Sequence, residues 1–141
     1  MWYPYLKRQS KIIENVQRRA TKLLKPISHF SYEERLRHLN LPSLRYRRIR
    51  GDQIYVYKYL KESIDSDYNL LTLATHSQAT RGHSLKLLKK CVKHDAGKYS
   101  FTNRVDNIWN NLSSNTVCTK NINDFKNLLD EELVKLKYII D

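Results

Sequence analysis

Ser31-Tyr32-Glu33-Glu34-Arg35-Leu36-Arg37-His38-Leu39, then Asn40-Leu41-Pro42-Ser43, then Leu44-Arg45-Tyr46-Arg47-Arg48-Ile49-Arg50-Gly51-Asp52 carry the punctuation of two helices and the break between them. Ser31 with Glu34 three residues on is a capping box, in which hydroxyl and carboxylate each satisfy a backbone amide of the other residue. It opens a short helix through Leu36 and Leu39. Proline has no N–H and its ring clashes with the preceding turn, so Asn40-Leu41-Pro42 is a stop. Ser43 can cap a longer helix reaching about Lys61. Its apolar positions, Tyr46, Ile49, Val56, Tyr57 and Leu60, return with helical period, while Arg47, Arg48, Gly51, Tyr55 and Lys58 fall opposite. A glycine inside a helix costs about 1 kcal/mol relative to alanine. Gly51 therefore needs a reason: close approach of a phosphate backbone, or equally tight helix–helix packing.

Upstream, Ile12, Ile13, Val16, Ala20, Leu23 and Leu24 make one apolar face and predict an amphipathic helix over about Gln9–Lys25, ended by Pro26. Lys11, Asn15, Arg18 and Lys22 form a stripe on its other side, flanked by Arg8 and Arg19. Downstream, residues 62–82 turn polar and predict a linker or surface loop. Ser84–Leu88 fits a short strand or a helix start. Phe101, Val105, Ile108, Trp109 and Leu112 predict a helix over about Thr102–Leu112. Asn121 and Asp124 provide a cap and a first-turn acid for a last helix, with Ile122, Phe125, Leu129, Leu133, Leu136 and Ile140 on its core face. The expected fold is mainly α: a three-helix basic element at 1–62, a polar linker at 63–82 and a small, mostly helical subdomain at 83–141.

Charge is spread unevenly over this frame. Residues 1–50 hold thirteen of the 26 lysines and arginines but only Glu14, Glu33 and Glu34 as acids, so they carry +10 of the formal +12. A like-charged surface of that density repels itself and is relieved by a polyanion. The 141 residues, 40% hydrophobic and 11% aromatic, suffice for a core without staples. Two cysteines, Cys91 and Cys118, are too few for a disulfide scaffold and point to a reducing compartment, nuclear or cytoplasmic. No apolar stretch suits a signal peptide or a membrane span.

The chemical constellations rank as follows. The basic faces of the first and third helices suit phosphates, with Tyr55 placed to stack on a base or sugar. A solvated face would normally alternate in sign. Arg81-Gly82-His83-Ser84, followed by Lys86, is either a small anion-binding turn or a plain turn. His76, His83, Cys91 and His94 lack the two close pairs of a zinc site, so a buried structural Cys91 is expected instead. Asp65-Ser66-Asp67 lies in a polar loop that cannot hold two metal ions rigidly. No nucleophile elbow or phosphate-binding glycine loop occurs. No active site, metal or cofactor is expected.

Taken together, several stretches resemble one family. These are Trp2-Tyr3-Pro4-Tyr5-Leu6-Lys7, Ile13 to Lys22, Ser31-Tyr32-Glu33-Glu34-Arg35-Leu36, Leu41-Pro42-Ser43-Leu44 and Tyr46 to Asp52. Thr80-Arg81-Gly82-His83-Ser84, Asn103-Arg104-Val105, Trp109-Asn110 and Asn123-Asp124-Phe125-Lys126 follow in order. The ensemble resembles the carboxy-terminal region of LINE-type, non-LTR retrotransposon reverse transcriptases, jockey-like or chicken-repeat-like. Where that family has Leu-Pro after its Trp-Asn, Leu112 is here followed by Ser113-Ser114. The resemblance implies that residues 1–62 are a thumb gripping template–primer and that 80–141 contact element RNA or target DNA. The catalytic palm would lie upstream as a partner, leaving this chain without polymerase chemistry.

The expected function is thus a non-catalytic module holding RNA or an RNA–DNA hybrid through phosphates. Lys11, Arg18, Arg19, Lys22, Arg47, Arg48, Arg50, Tyr55, Lys58, Arg81, His83 and Lys86 are the candidate contacts, and no membrane is involved. The alternative is a structural or protein-interaction remnant whose apolar faces once docked on the missing palm.

Overall fold

The computed structural model describes residues 4, 6–61, 70–74, 82–92, 97 and 99–135. Six α-helices lie among them: α1 Lys7–Lys22, α2 Tyr32–His38, α3 Leu44–Lys61, α4 Phe101–Asn111, α5 Ser114–Val117 and α6 Ile122–Lys135. A 3-10 turn, Lys25–Ile27, follows α1 with Pro26 inside it. The mainly α class is thereby shown. The capping box forms as its spacing dictates: Glu34 N–H donates to Ser31 Oγ (3.3 Å) and Ser31 N–H to Glu34 Oε2 (2.8 Å). Ser43 caps α3, accepting from Tyr46 N–H at 3.2 Å. Asn40 takes the left-handed conformation (φ 49°) in the break between α2 and α3.

Helix α3 is the axis of the molecule. Its buried residues, Tyr46, Ile49, Val56 and Tyr57, share one core with Leu71, Leu87, Val105, Trp109, Leu112, Val117, Phe125, Leu129 and Leu133. α4 and α6 both pack on α3, and α1 packs on its other flank. The expected boundary at 62/63 falls outside the described residues, but packing joins the two halves: one core draws on both. Tyr57 stacks on Phe125 (centroids 4.2 Å, 21° between planes) and donates its hydroxyl to Thr119 O at 2.7 Å. Phe125, Leu129 and Leu133 are fully buried, as the period of α6 requires; Leu136 and Ile140 lie outside the described residues.

The segment with two readings, Ser84–Leu88, is extended. Leu87 makes an antiparallel bridge with Leu73, flanked by Ala74 N–H to Lys86 O (2.8 Å) and Leu88 N–H to Thr72 O (2.7 Å). Trp109 and Asn110 hold this strip against α4. Trp109 Nε1 donates to Leu85 O at 2.7 Å, and the Asn110 amide clasps both backbone groups of Leu87, at 2.8 and 2.9 Å. After Leu112, Ser113 caps α5, a turn the sequence did not announce.

One expectation is corrected: Cys91 is exposed rather than buried. Most of the apolar face of α1 points outward, with Ile12, Val16, Ala20, Leu23 and Leu24 all exposed. The face turned to α2 and α3 is mostly polar: Thr21 is buried, Ser10, Glu14 and Gln17 are half-buried, and Ile13 is the apolar residue half-buried with them. The reason is the demand for hydrogen bonds. Glu14 Oε1 accepts from the Tyr32 hydroxyl (2.6 Å) and from the Leu44 N–H at the start of α3 (3.2 Å). Gln17 donates to Pro42 O at 3.2 Å, and Arg48 to Ser10 Oγ at 3.2 Å. A helix start carries amides without internal partners and a partial positive charge, so a carboxylate beside it is held on both counts.

Candidate nucleic-acid interface

Helix α1 supplies most of the site. Lys7, Arg8, Lys11, Arg18, Arg19 and Lys22 are exposed on it, and Glu14 is its only acid. At 1.5 Å rise per residue, Arg18 stands about 10 Å and Lys22 about 16 Å along the axis from Lys11, close to three and five base-pair steps of a duplex. The Arg18 guanidinium lies over the Tyr32 ring, 4.8 Å from its centroid, which fixes its stem while leaving the side chain accessible.

Two of the three acids in residues 1–50 are spoken for. Glu14 closes onto Tyr32 and Leu44, as above. Glu34 bonds the Ser31 backbone, and that bond holds its carboxyl below the usual glutamate value of 4.5. Among the described residues the two ion pairs, Arg50–Asp130 and Arg104–Asp52, join α3 to α6 and α3 to α4. None of the six cations of α1 has a carboxylate within ion-pair distance among the described residues. An isolated row of this kind keeps its full field, and anions answer it.

The structure divides the predicted contacts. Lys11, Arg18, Arg19 and Lys22 on α1 and Arg47 on α3 are exposed and available to phosphate. Lys58 and Lys86 are half-buried. Arg48 bonds Ser10 and thereby ties α3 to α1. Arg50 forks onto Asp130 at 2.5 and 2.9 Å. Tyr46 donates to the same carboxylate at 2.7 Å. Burial pushes the Asp130 carboxyl up, but the Arg50 and Tyr46 hydrogen bonds outweigh it and hold it below its ordinary 3.8. Arg50 is therefore a clasp, not a free cation. Tyr55 is half-buried and packs edge-to-face with Phe101 (5.4 Å, 86°). His83 is 3% exposed, with Nε2 3.0 Å from Trp109 O. Burial lowers its pKa below 6.5, so it is a neutral core histidine donating to that carbonyl. Both corrections, for Arg50 and His83, have one cause: a donor in the sequence does not reveal an acceptor folded against it. Arg81 lies outside the described residues.

Two cations were missed as structural parts. Arg104 forks onto Asp52 (2.8 and 3.0 Å), with side chains 15% and 5% exposed. Arg35 is 5% exposed and bonds Thr21 Oγ1 (3.2 Å), Phe30 O (2.6 Å) and Arg18 O (3.5 Å), locking α2 to the end of α1. The signal for Arg104 was Asp52, an acid on the inward arc of α3. Among the described residues no group of histidines, cysteines or carboxylates could hold a metal, and no helix is long and apolar enough to cross a membrane. No family model, curated protein or solved structure matches this chain.

Proposed function

We propose that this chain is a non-catalytic nucleic-acid-binding module that grips RNA or an RNA–DNA hybrid through its phosphates. This is the role expected of the thumb and tail of a LINE-type reverse transcriptase. The observation carrying it is the row of exposed cations on α1, whose one acid, Glu14, is taken up by Tyr32 and the start of α3. Lys11, Arg18, Arg19 and Lys22, with Arg47 on α3, make the contacts. Lysine and arginine on long stems position a backbone and read little sequence, so weak sequence preference goes with this reading.

A salt titration of binding to RNA–DNA hybrid, duplex DNA and single-stranded RNA tests it. Log affinity should fall linearly with log salt, by about 0.9 per phosphate contacted on a duplex. The triple variant Lys11→Gln, Arg18→Gln, Lys22→Gln should lower that slope by roughly 2.7, three contacts' worth. Affinity indifferent to salt, or no binding at low salt, would sink the proposal. Nucleotide incorporation by the chain alone in a primer-extension assay would sink its non-catalytic half.

A further inference from the structure

Helix α1 has a third face, used neither by the fold nor by the cation row. At 100° per residue, Ile12, Val16, Ala20 and Leu23 span an arc of about 80°, centred about 130° round the helix from Ser10, Glu14, Gln17 and Thr21. Ile12 is 56% exposed, Val16 65% and Leu23 82%, and Leu24 continues the line at 45%. Four large aliphatic side chains on one straight ridge are more than the scattered apolar residues of an ordinary surface.

We infer that this ridge docks an acidic amphipathic helix of a partner protein. Ile12, Val16 and Ala20 form an i, i+4, i+8 row on α1, the kind of ridge that interdigitates with the grooves of another helix, and Leu23 and Leu24 extend the apolar strip just past the end of the helix. The border of the ridge away from the body carries Arg8, Arg19 and Lys22 and no acid, so the matching edge of the occupant is anionic. The opposite border is the body itself, through Gln17 and its bond to Pro42. Cations on one side only distinguish this ridge from a helix lying in a bilayer, which gains from basic residues along both borders. A second copy fits no better: antiparallel pairing sets the cationic border against itself, and parallel pairing lays each body against its neighbour's cationic border, which offers no matching row of acids.

The test uses the full chain and two synthetic helical peptides, each with leucines at three- and four-residue spacing on one face. One is flanked by glutamates, the other by lysines. The glutamate peptide should bind, measured calorimetrically, and the lysine peptide should bind at least tenfold more weakly. The variant Ile12→Gln, Val16→Gln, Leu23→Gln should weaken the glutamate peptide at least tenfold while keeping the wild-type melting temperature and the wild-type affinity for RNA–DNA hybrid. That last readout separates this inference from the phosphate-binding one, since either can fail alone. Equal binding of both peptides, or binding that survives the variant, overturns it. So does ridge-dependent binding to phosphatidylserine–phosphatidylcholine vesicles without peptide binding, which assigns the face to lipid. Concentration-dependent dimerisation abolished by the variant assigns it to a second copy.

Discussion

Replacing Arg50 by glutamine distinguishes a cation that holds the fold from one that holds a ligand. In the wild type Arg50 makes two hydrogen bonds to Asp130, at 2.5 and 2.9 Å, from side chains 30% and 39% exposed. Hydrogen bonds to charged groups contribute about 1.5–3 kcal/mol when desolvated. At this exposure water and salt screen most of that, and surface ion pairs are worth about 0–1 kcal/mol. A bidentate fork between two helices belongs at the upper end, and Tyr46 still satisfies Asp130 when the guanidinium is gone. The expected loss is about 1 kcal/mol, or roughly 3 °C in Tm for a chain of this length. The loss also has a pH signature. Asp130 is held below 3.8 in the folded protein, so its contribution is present above that value and disappears as pH falls through the folded pKa. Thermal melts of wild type and Arg50→Gln should differ at pH 7 and converge only as pH falls below 3.8 towards the lower folded value. The salt slope for RNA–DNA hybrid should not change. Arg47→Gln should do the reverse, keeping Tm and lowering the slope by about 0.9. An Arg50→Gln protein with wild-type Tm and a slope reduced by one contact would refute the assignment of Arg50 to the fold.

Arg35→Ala leaves Phe30 O and Thr21 without their donor in a buried setting and should cost about 2–3 kcal/mol in a denaturant titration. Arg104→Ala strands the Asp52 carboxylate at 5% exposure and should cost about 3 kcal/mol or more, most of it recovered in the double variant Asp52→Leu, Arg104→Met. For His83, burial outweighs the upward pull of the Trp109 carbonyl and Glu132 and is joined by Lys86, so the folded pKa lies below 6.5. The unfolded chain then binds a proton that the native state refuses. Stability should fall as pH drops through 6.5 towards that lower value, by at most about 1.4 kcal/mol per pH unit. His83→Gln should flatten this window in urea titrations. Burial raises the Asp106 carboxyl above 3.8 and acts in the opposite sense, so the quantity to measure is the difference between the two proteins.

The helices were legible because their starts and stops are local. Ser31 with Glu34, Pro42 with Ser43 and the aliphatic period of α6 each act within one or two turns, and each formed as read. The core face of α3 was legible for the same reason. What the sequence left open was orientation. Period shows which residues of α1 share a face, not which face its neighbours need. That need came from the first amide of α3 and the Tyr32 hydroxyl, both of which found Glu14. The candidate site was half legible. Lys11, Arg18, Arg19, Lys22 and Arg47 are exposed, whereas Arg50 and His83 are taken by Asp130 and Trp109, residues at sequence separations of 80 and 26. The quoted Trp109-Asn110 pair has an intelligible task that no composition reveals: it clasps Leu85 and Leu87.

Sorting the basic residues by what they touch changes the meaning of the charge. Of the thirteen in residues 1–50, Arg35, Arg48 and Arg50 bond within the protein and Arg45 is half-buried. Lys7, Arg8, Lys11, Arg18, Arg19, Lys22, Lys25, Arg37 and Arg47 remain exposed. Six of these nine stand on the 16 residues of α1 in two groups, Lys7, Arg8 and Lys11 and then Arg18, Arg19 and Lys22; within each, neighbours lie inside a Debye length of about 8 Å, so their repulsion is only partly screened at physiological salt. A polyanion laid along α1 relieves that repulsion and releases its own counterions, which ties binding to stabilisation: ligand that binds only the folded state raises Tm with its concentration. The same cations rim the apolar ridge. A partner helix acidic enough to match Arg8, Arg19 and Lys22 competes for part of the field that the phosphates use. Occupation of the ridge by the proposed helix should therefore lower the apparent charge seen by nucleic acid, setting the two proposed ligands in opposition across a single helix.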